Sequence, residues 1–150
     1  GIGKELSKVD DSALSKAINN LYRNKLVDIK EMADGKVKII LNENGKKKVL
    51  EYKLEEMEIE KPQRWDGKWR MAIFDIPDNK KKARETLRFR LKHLGFYQYQ
   101  KSVFIHPYSC GKEIDFLIEF YALRPYVRQL EISKMDNDLH FRQIFKDLIK

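Results

Sequence analysis

An α+β chain in two unlike parts is what the 150 residues predict, on three observations. Apolar residues fall in short periodic runs, some at helical spacing and some in strand-like blocks, so both element types are expected. A stretch carrying Pro62 and Gly67, EIEKPQRWDGK, interrupts that periodicity near the middle. Charge is uneven: residues 1–64 hold 14 basic and 12 acidic side chains, and residues 65–150 hold 17 and 11. The expected boundaries are a first domain at 1–57, a linker at 58–68, a second domain at 69–136 and a closing helix at 137–150.

In the first part, Asp10 or Asp11 can cap a helix whose apolar positions Leu14, Ala17, Ile18 and Leu21 lie at i, i+3, i+4 and i+7. Its other face carries Ser12, Ser15, Lys16, Asn19, Asn20 and Arg23, and Asn24-Lys25 close it. LVDIKEM (26–32) and VKIIL (37–41) read as two strands joined at Asp34-Gly35, a hairpin dipeptide. Asn42 to Gly45 then opens another helix with Leu50, Leu54 and Met57 on one stripe. Helix, two-stranded wing, helix is the closing half of a winged helix-turn-helix. At least one earlier helix is expected, of which KELSK supplies only part, and the Gly-Ile-Gly start suggests a fragment. In such a domain residues 12–23 would form the recognition helix in the major groove of double-stranded DNA. Ser15, Lys16, Asn19, Asn20 and Arg23 are the candidate DNA contacts, with Asn suited to adenine and Arg to guanine. Lys36 and Lys38 on the wing suit phosphates.

In the second part, WRMAIFDI (69–76) reads as a central strand. Asp78 can cap the helix after it, where Ala83, Leu87, Leu91 and Leu94 make the buried stripe and Gly95 ends the run. Lys81, Arg84, Arg88 and Lys92 share a neighbouring face. They belong to a segment, residues 80–101, with eight basic side chains and only Glu85 against them. FYQYQKSVFIHPY (96–108) holds two strands or one bent strand. A helix at 112–123 carries Ile114, Leu117, Ile118 and Tyr121, and YVRQLEIS (126–133) is the last strand. The order β-α-β-β-α-β predicts a ferredoxin-like domain. In LHFRQIFKDLIK (139–150), Phe141, Ile144, Phe145 and Leu148 lie at helical spacing and must pack on this sheet or on a second subunit.

Phe74-Asp75-Ile76, the Lys/Arg-rich helix, Leu94-Gly95-Phe96 and Gln100-Lys101-Ser102-Val103-Phe104 resemble the small CRISPR adaptation endonucleases, the second of the CRISPR-associated proteins. The longer stretch from Trp65-Asp66-Gly67-Lys68-Trp69-Arg70, preceded by a winged helix, is more similar to the PaaX family, repressors of phenylacetate degradation. That resemblance implies a DNA-binding transcriptional regulator that forms a homodimer through its ferredoxin-like domain. PaaX repressors are larger, with a further C-terminal domain, so their effector is not carried over and any small-molecule effector stays unassigned. The endonuclease resemblance implies an alternative, a CRISPR adaptation subunit in which Asp75 shares Mg²⁺ with its symmetry mate. One carboxylate per chain would need a dimer to hold a hard cation. The plainer role for Asp75 is a hydrogen bond to the turn before the helix.

Other chemistries find little support. A single cysteine, Cys110, excludes an intramolecular disulfide and a Cys-based zinc site and fits a reducing cytoplasm. His93, His106 and His140 lack metal-ligand spacing and read as surface or packing residues. Ser102 and Ser109 have no base at a recognisable spacing. Tyr97, Tyr99 and Phe104 could stack on bases but read first as core or dimer contacts. No run approaches a membrane span or a signal peptide, so no membrane partner is expected. No cofactor is expected apart from Mg²⁺ in the alternative. The net charge of +8 favours a polyanionic partner.

Overall fold

The computed structural model describes residues 16, 19, 20 and 22–150. The chain divides into two compact units, Gly1–Glu56 and Met57–Lys150, each with mixed helix and antiparallel sheet. No described helix is long and apolar enough to cross a membrane.

In the first unit, residues 16, 19, 20, 22 and 23 are helical. The helix closes where Lys25 adopts φ +58° and its N–H donates to Tyr22 O at 3.0 Å. Strand β1 (Val27–Glu31) pairs antiparallel with β2 (Val37–Leu41), Val27 opposite Leu41 and Glu31 opposite Val37. The turn between them forms as its sequence predicts. Gly35 takes φ +85°, and the Asp34 carboxylate accepts the Lys36 N–H at 3.0 Å.

Asn42 caps helix α1 (Glu43–Glu56): its Oδ1 accepts the Gly45 N–H at 2.8 Å, while its Nδ2 donates to Lys25 O. The expected stripe on α1 is narrower than its spacing suggests. Gly45 and Leu54 are buried, Leu50 is 37% exposed, and Met57 lies beyond the helix end. The expected cap at Asp10 or Asp11 and the apolar positions Leu14, Ala17, Ile18 and Leu21 lie outside the described residues.

The second unit runs β3 (Trp69–Phe74), α2 (Lys81–His93), β4 (Tyr97–Gln100), β5 (Val103–His106), α3 (Gly111–Phe120), β6 (Val127–Ile132) and α4 (Asp138–Ile144). The sheet order is β4-β5-β3-β6 with every neighbour antiparallel, so β3 sits inside it, as its density of apolar residues predicts. FYQYQKSVFIHPY makes two strands rather than one bent strand, with a register shift between Gln98 and Gln100. On one sheet face Ala72, Phe74 and Phe104 are buried, as are Leu87 and Leu91 of α2 and Ile114, Leu117 and Ile118 of α3. Arg88 lies over the Phe74 ring, and Gln129 donates to Asp115 on α3, so both helices cover this face.

α2 ends as expected. Gly95 has φ +95°, its N–H reaches Lys92 O, and the Phe96 N–H reaches Leu91 O, both at 3.0 Å. Its start differs. A 3₁₀ turn at Asp78–Lys80 precedes it, no side chain caps either element, and the Asp78 carboxylate pairs with Arg84 at 3.0 Å. The 3₁₀ turn moves the N-cap of α2 two residues past Asp78, to Lys80, so the capping residue type does not stand at the cap. α3 also stops earlier than expected, at Phe120.

The closing segment packs on its own sheet. Phe141 and Phe145 join Trp69 and Ile105 in one buried cluster, ringed by Trp65, Met71, Tyr97, Ile132, Ile144 and Leu148. Tyr108 donates to Leu148 O at 2.7 Å, and the Asp138 carboxylate accepts the Trp69 indole N–H at 2.8 Å. The sheet is thus covered on both faces.

Candidate nucleic-acid interface

A surface that binds a polyanion needs cations whose charge is not spent inside the protein. In the first unit, Lys16, Asn19, Asn20 and Arg23 are helical and exposed. Ser15 lies outside the described residues. Asn20 Oδ1 accepts from Asn24 Nδ2 at 3.1 Å, which orients its carboxamide. On the hairpin, Lys36 and Lys38 are exposed, and the register sets Lys38 directly opposite Lys30. Like charges facing each other across a ladder repel, and an anion beside them removes that cost. Lys30 is the hairpin cation that sequence reasoning missed. Sequence alone did not give it: a hairpin symmetric about Asp34-Gly35 would set Lys38 opposite Glu31, and the observed register is centred on Asp34 instead.

On α2 the four expected basic residues separate. Lys81 and Lys92 are exposed, with no ion-pair partner among the described residues. Arg84 and Arg88 turn inward instead. Arg84 donates to Ile76 O at 2.9 Å and pairs with Asp78; Arg88 donates to Lys101 O at 2.9 Å and pairs with Glu85. Their side chains are 19% and 11% exposed, so they tie α2 to the loops at the sheet end. A guanidinium on a helical charged face looks the same in sequence whether it points to solvent or folds back on a carbonyl.

Asp75 follows β3 and is exposed. Its backbone N–H donates to Tyr126 O at 2.9 Å, and its carboxylate has no hydrogen-bond or ion-pair partner among the described residues. The expected bond from that carboxylate to the following turn is therefore not made. Asp75 borders an open cavity of about 410 Å³ with Ile73, Phe74, Pro125, Tyr126 and Arg128. Among the described residues no three metal-ligating side chains come together. With Asp78 committed to Arg84, one chain offers a single carboxylate, too few oxygen ligands for a hard cation.

Trp65 to Arg70 form an anchor rather than free linker. The Trp65 indole donates to Pro107 O at 2.8 Å, lies tilted by 57° against Trp69 with ring centroids 4.8 Å apart, and carries the Arg142 guanidinium over its ring. Arg70 bonds Asp66 and donates to Pro107 O at 2.8 Å; that arginine holds the Asp66 carboxyl below its usual range. The model of the PaaX protein central Cas2-like domain matches residues 62–141. The chain belongs to the PaaX family. The matched span takes in both Trp65 and Phe141, the two ends of this anchored cluster, so the PaaX central domain here includes the start of the closing helix. No curated protein matches the chain.

Proposed function

We propose that this PaaX-family chain is a cytoplasmic transcriptional regulator that binds double-stranded DNA through a winged helix and dimerises through a ferredoxin-like domain. The observation that carries the reading is family membership through the central domain, joined to a preceding unit of helix, cationic hairpin and capped helix. The β-α-β-β-α-β order with strands arranged β4-β5-β3-β6 supports the ferredoxin-like assignment. In this reading Lys16, Asn19, Asn20 and Arg23 meet base edges, while Lys30, Lys36 and Lys38 meet phosphates. Selection of bound sequences from a random duplex pool tests it: enrichment of one palindromic motif is expected, and recovery of no motif would remove the reading.

A second reading, a metal-dependent endonuclease, is favoured by one observation, the exposed carboxylate of Asp75, which has no partner among the described residues. Incubating duplex and single-stranded substrates with Mg²⁺ separates the two. Cleavage by the native chain that vanishes in Asp75→Ala would promote the nuclease; no cleavage leaves the regulator.

A further inference from the structure

Among the exposed aromatic side chains of the second unit, Phe89 is anomalous. It stands on α2 at 61% exposure, inside the most basic segment of the chain, while Leu87 and Leu91 are the buried residues of that helix. Exposing a phenyl ring to water is unfavourable by roughly its transfer free energy, so an exposed ring amid cations is a candidate contact surface. His93, one turn on, holds its ring nearly parallel to that of Phe89, at 13° with centroids 6.2 Å apart. The Arg90 guanidinium lies 5.7 Å from the Phe89 centroid. Lys82 and Lys92 are exposed on either side along the same helix, separated by ten residues or about 15 Å. Neither has an ion-pair partner among the described residues, and the nearby Glu85 is neutralised by Arg88.

We propose that the outward face of α2 binds single-stranded nucleic acid, with Phe89 stacking on a base and Lys82 and Lys92 neutralising the flanking phosphates. Charge complementarity selects a polyanion. The exposed ring then selects among polyanions: in a duplex the base faces are covered by their neighbours, whereas in a single strand they are free to stack. Arg84 and Arg88, whose charges are committed inside the unit, hold the helix in place beneath this face and do not contact the strand. The surface lies in the second unit and stands apart from the duplex-reading proposal for the first.

The test is a fluorescence-anisotropy titration of the full chain with labelled fifteen-residue oligo-dT and with a duplex of the same length, at two salt concentrations. The native chain should bind oligo-dT, and Phe89→Ala should weaken that binding about tenfold while Phe89→Tyr keeps it. Lys82→Gln with Lys92→Gln reads the same surface without touching the ring. It should weaken oligo-dT binding and reduce the logarithmic salt slope by about 1.4. No oligo-dT binding by the native chain overturns the proposal. So does binding that is indifferent to both Phe89→Ala and the lysine pair, or loss only in the lysine pair with equal loss on duplex, which would mark a merely cationic face.

Discussion

His106 is the buried polar side chain of the second unit's core, 3% exposed among the rings of Phe96, Tyr108 and Phe145. Its Nδ1 accepts the Tyr108 backbone N–H at 3.0 Å, which fixes the neutral form with the proton on Nε2. Burial, with the Arg70 charge adding to it, pushes its pKa down from 6.5 to about 4. Between those values the unfolded chain binds a proton that the folded chain refuses, so stability rises with pH there. Denaturant unfolding should lose stability as pH falls from 6.5 to 4, to a limit of about 3 kcal/mol, and His106→Gln should flatten that slope. Asp66, held low by Arg70, and Asp138, held low by Trp69 and Arg142, act in a separate window. Their contribution is present above the ordinary carboxylate value of 3.8 and is lost only as pH drops below it.

Gly45 makes a second residue-scale prediction. A Cβ there would lie 2.0 Å from the Leu26 carbonyl oxygen, a backbone atom that cannot swing away. Alanine normally strengthens a helix, yet Gly45→Ala should destabilise the first unit by about 1–3 kcal/mol because the helix must move off the hairpin base. A lowered melting temperature of the first unit, with that of the second unchanged, would be the signature.

At the scale of elements, α4 is held by its side chains more than by its length of seven residues. Phe141 touches Trp69, Tyr97 and Tyr99, with ring centroids 5.1 to 6.2 Å apart. Phe141→Ala should cost about 3–5 kcal/mol and shift Trp69 fluorescence to the red as water reaches the cluster. The wing carries a different kind of prediction. Replacing Lys36 and Lys38 together should weaken binding to all duplexes alike and lower the salt slope by about 2, whereas Arg23→Ala should cost about 1–3 kcal/mol on the preferred sequence alone. Titration on preferred and scrambled duplexes reads both. Equal loss in the two cases would mean that the helix does not read bases.

At the scale of the whole molecule, the expectation of a dimer rested partly on a closing helix that needed cover, and the chain covers that helix itself. What remains is the need of the proposed regulator to span two half-sites, together with edge strand β6, where Leu130 is 40% exposed. Light scattering at micromolar concentration should give twice the 17.9 kDa chain mass, and Leu130→Lys should lower it. A mass of one chain would remove the dimer from the functional account.

Local chemistry alone determined the elements. Asp34-Gly35 set the wing, Asn42 began a helix, Gly95 ended one, and the alternation of apolar runs gave the β-α-β-β-α-β order, because each depends on neighbours within a few residues. The WDGKWR, FDIP and QKSVF strings likewise carried the family before any coordinate was needed. Tertiary structure decided where side chains of identical type spend their interactions. It sent Asp78 to Arg84 instead of a helix end, turned Arg84 and Arg88 inward while leaving Lys81 and Lys92 exposed, and folded the closing helix onto Trp69. Periodicity names the face of a helix on which a charge lies. Only the packed neighbours decide whether a carbonyl, a carboxylate or water meets it there.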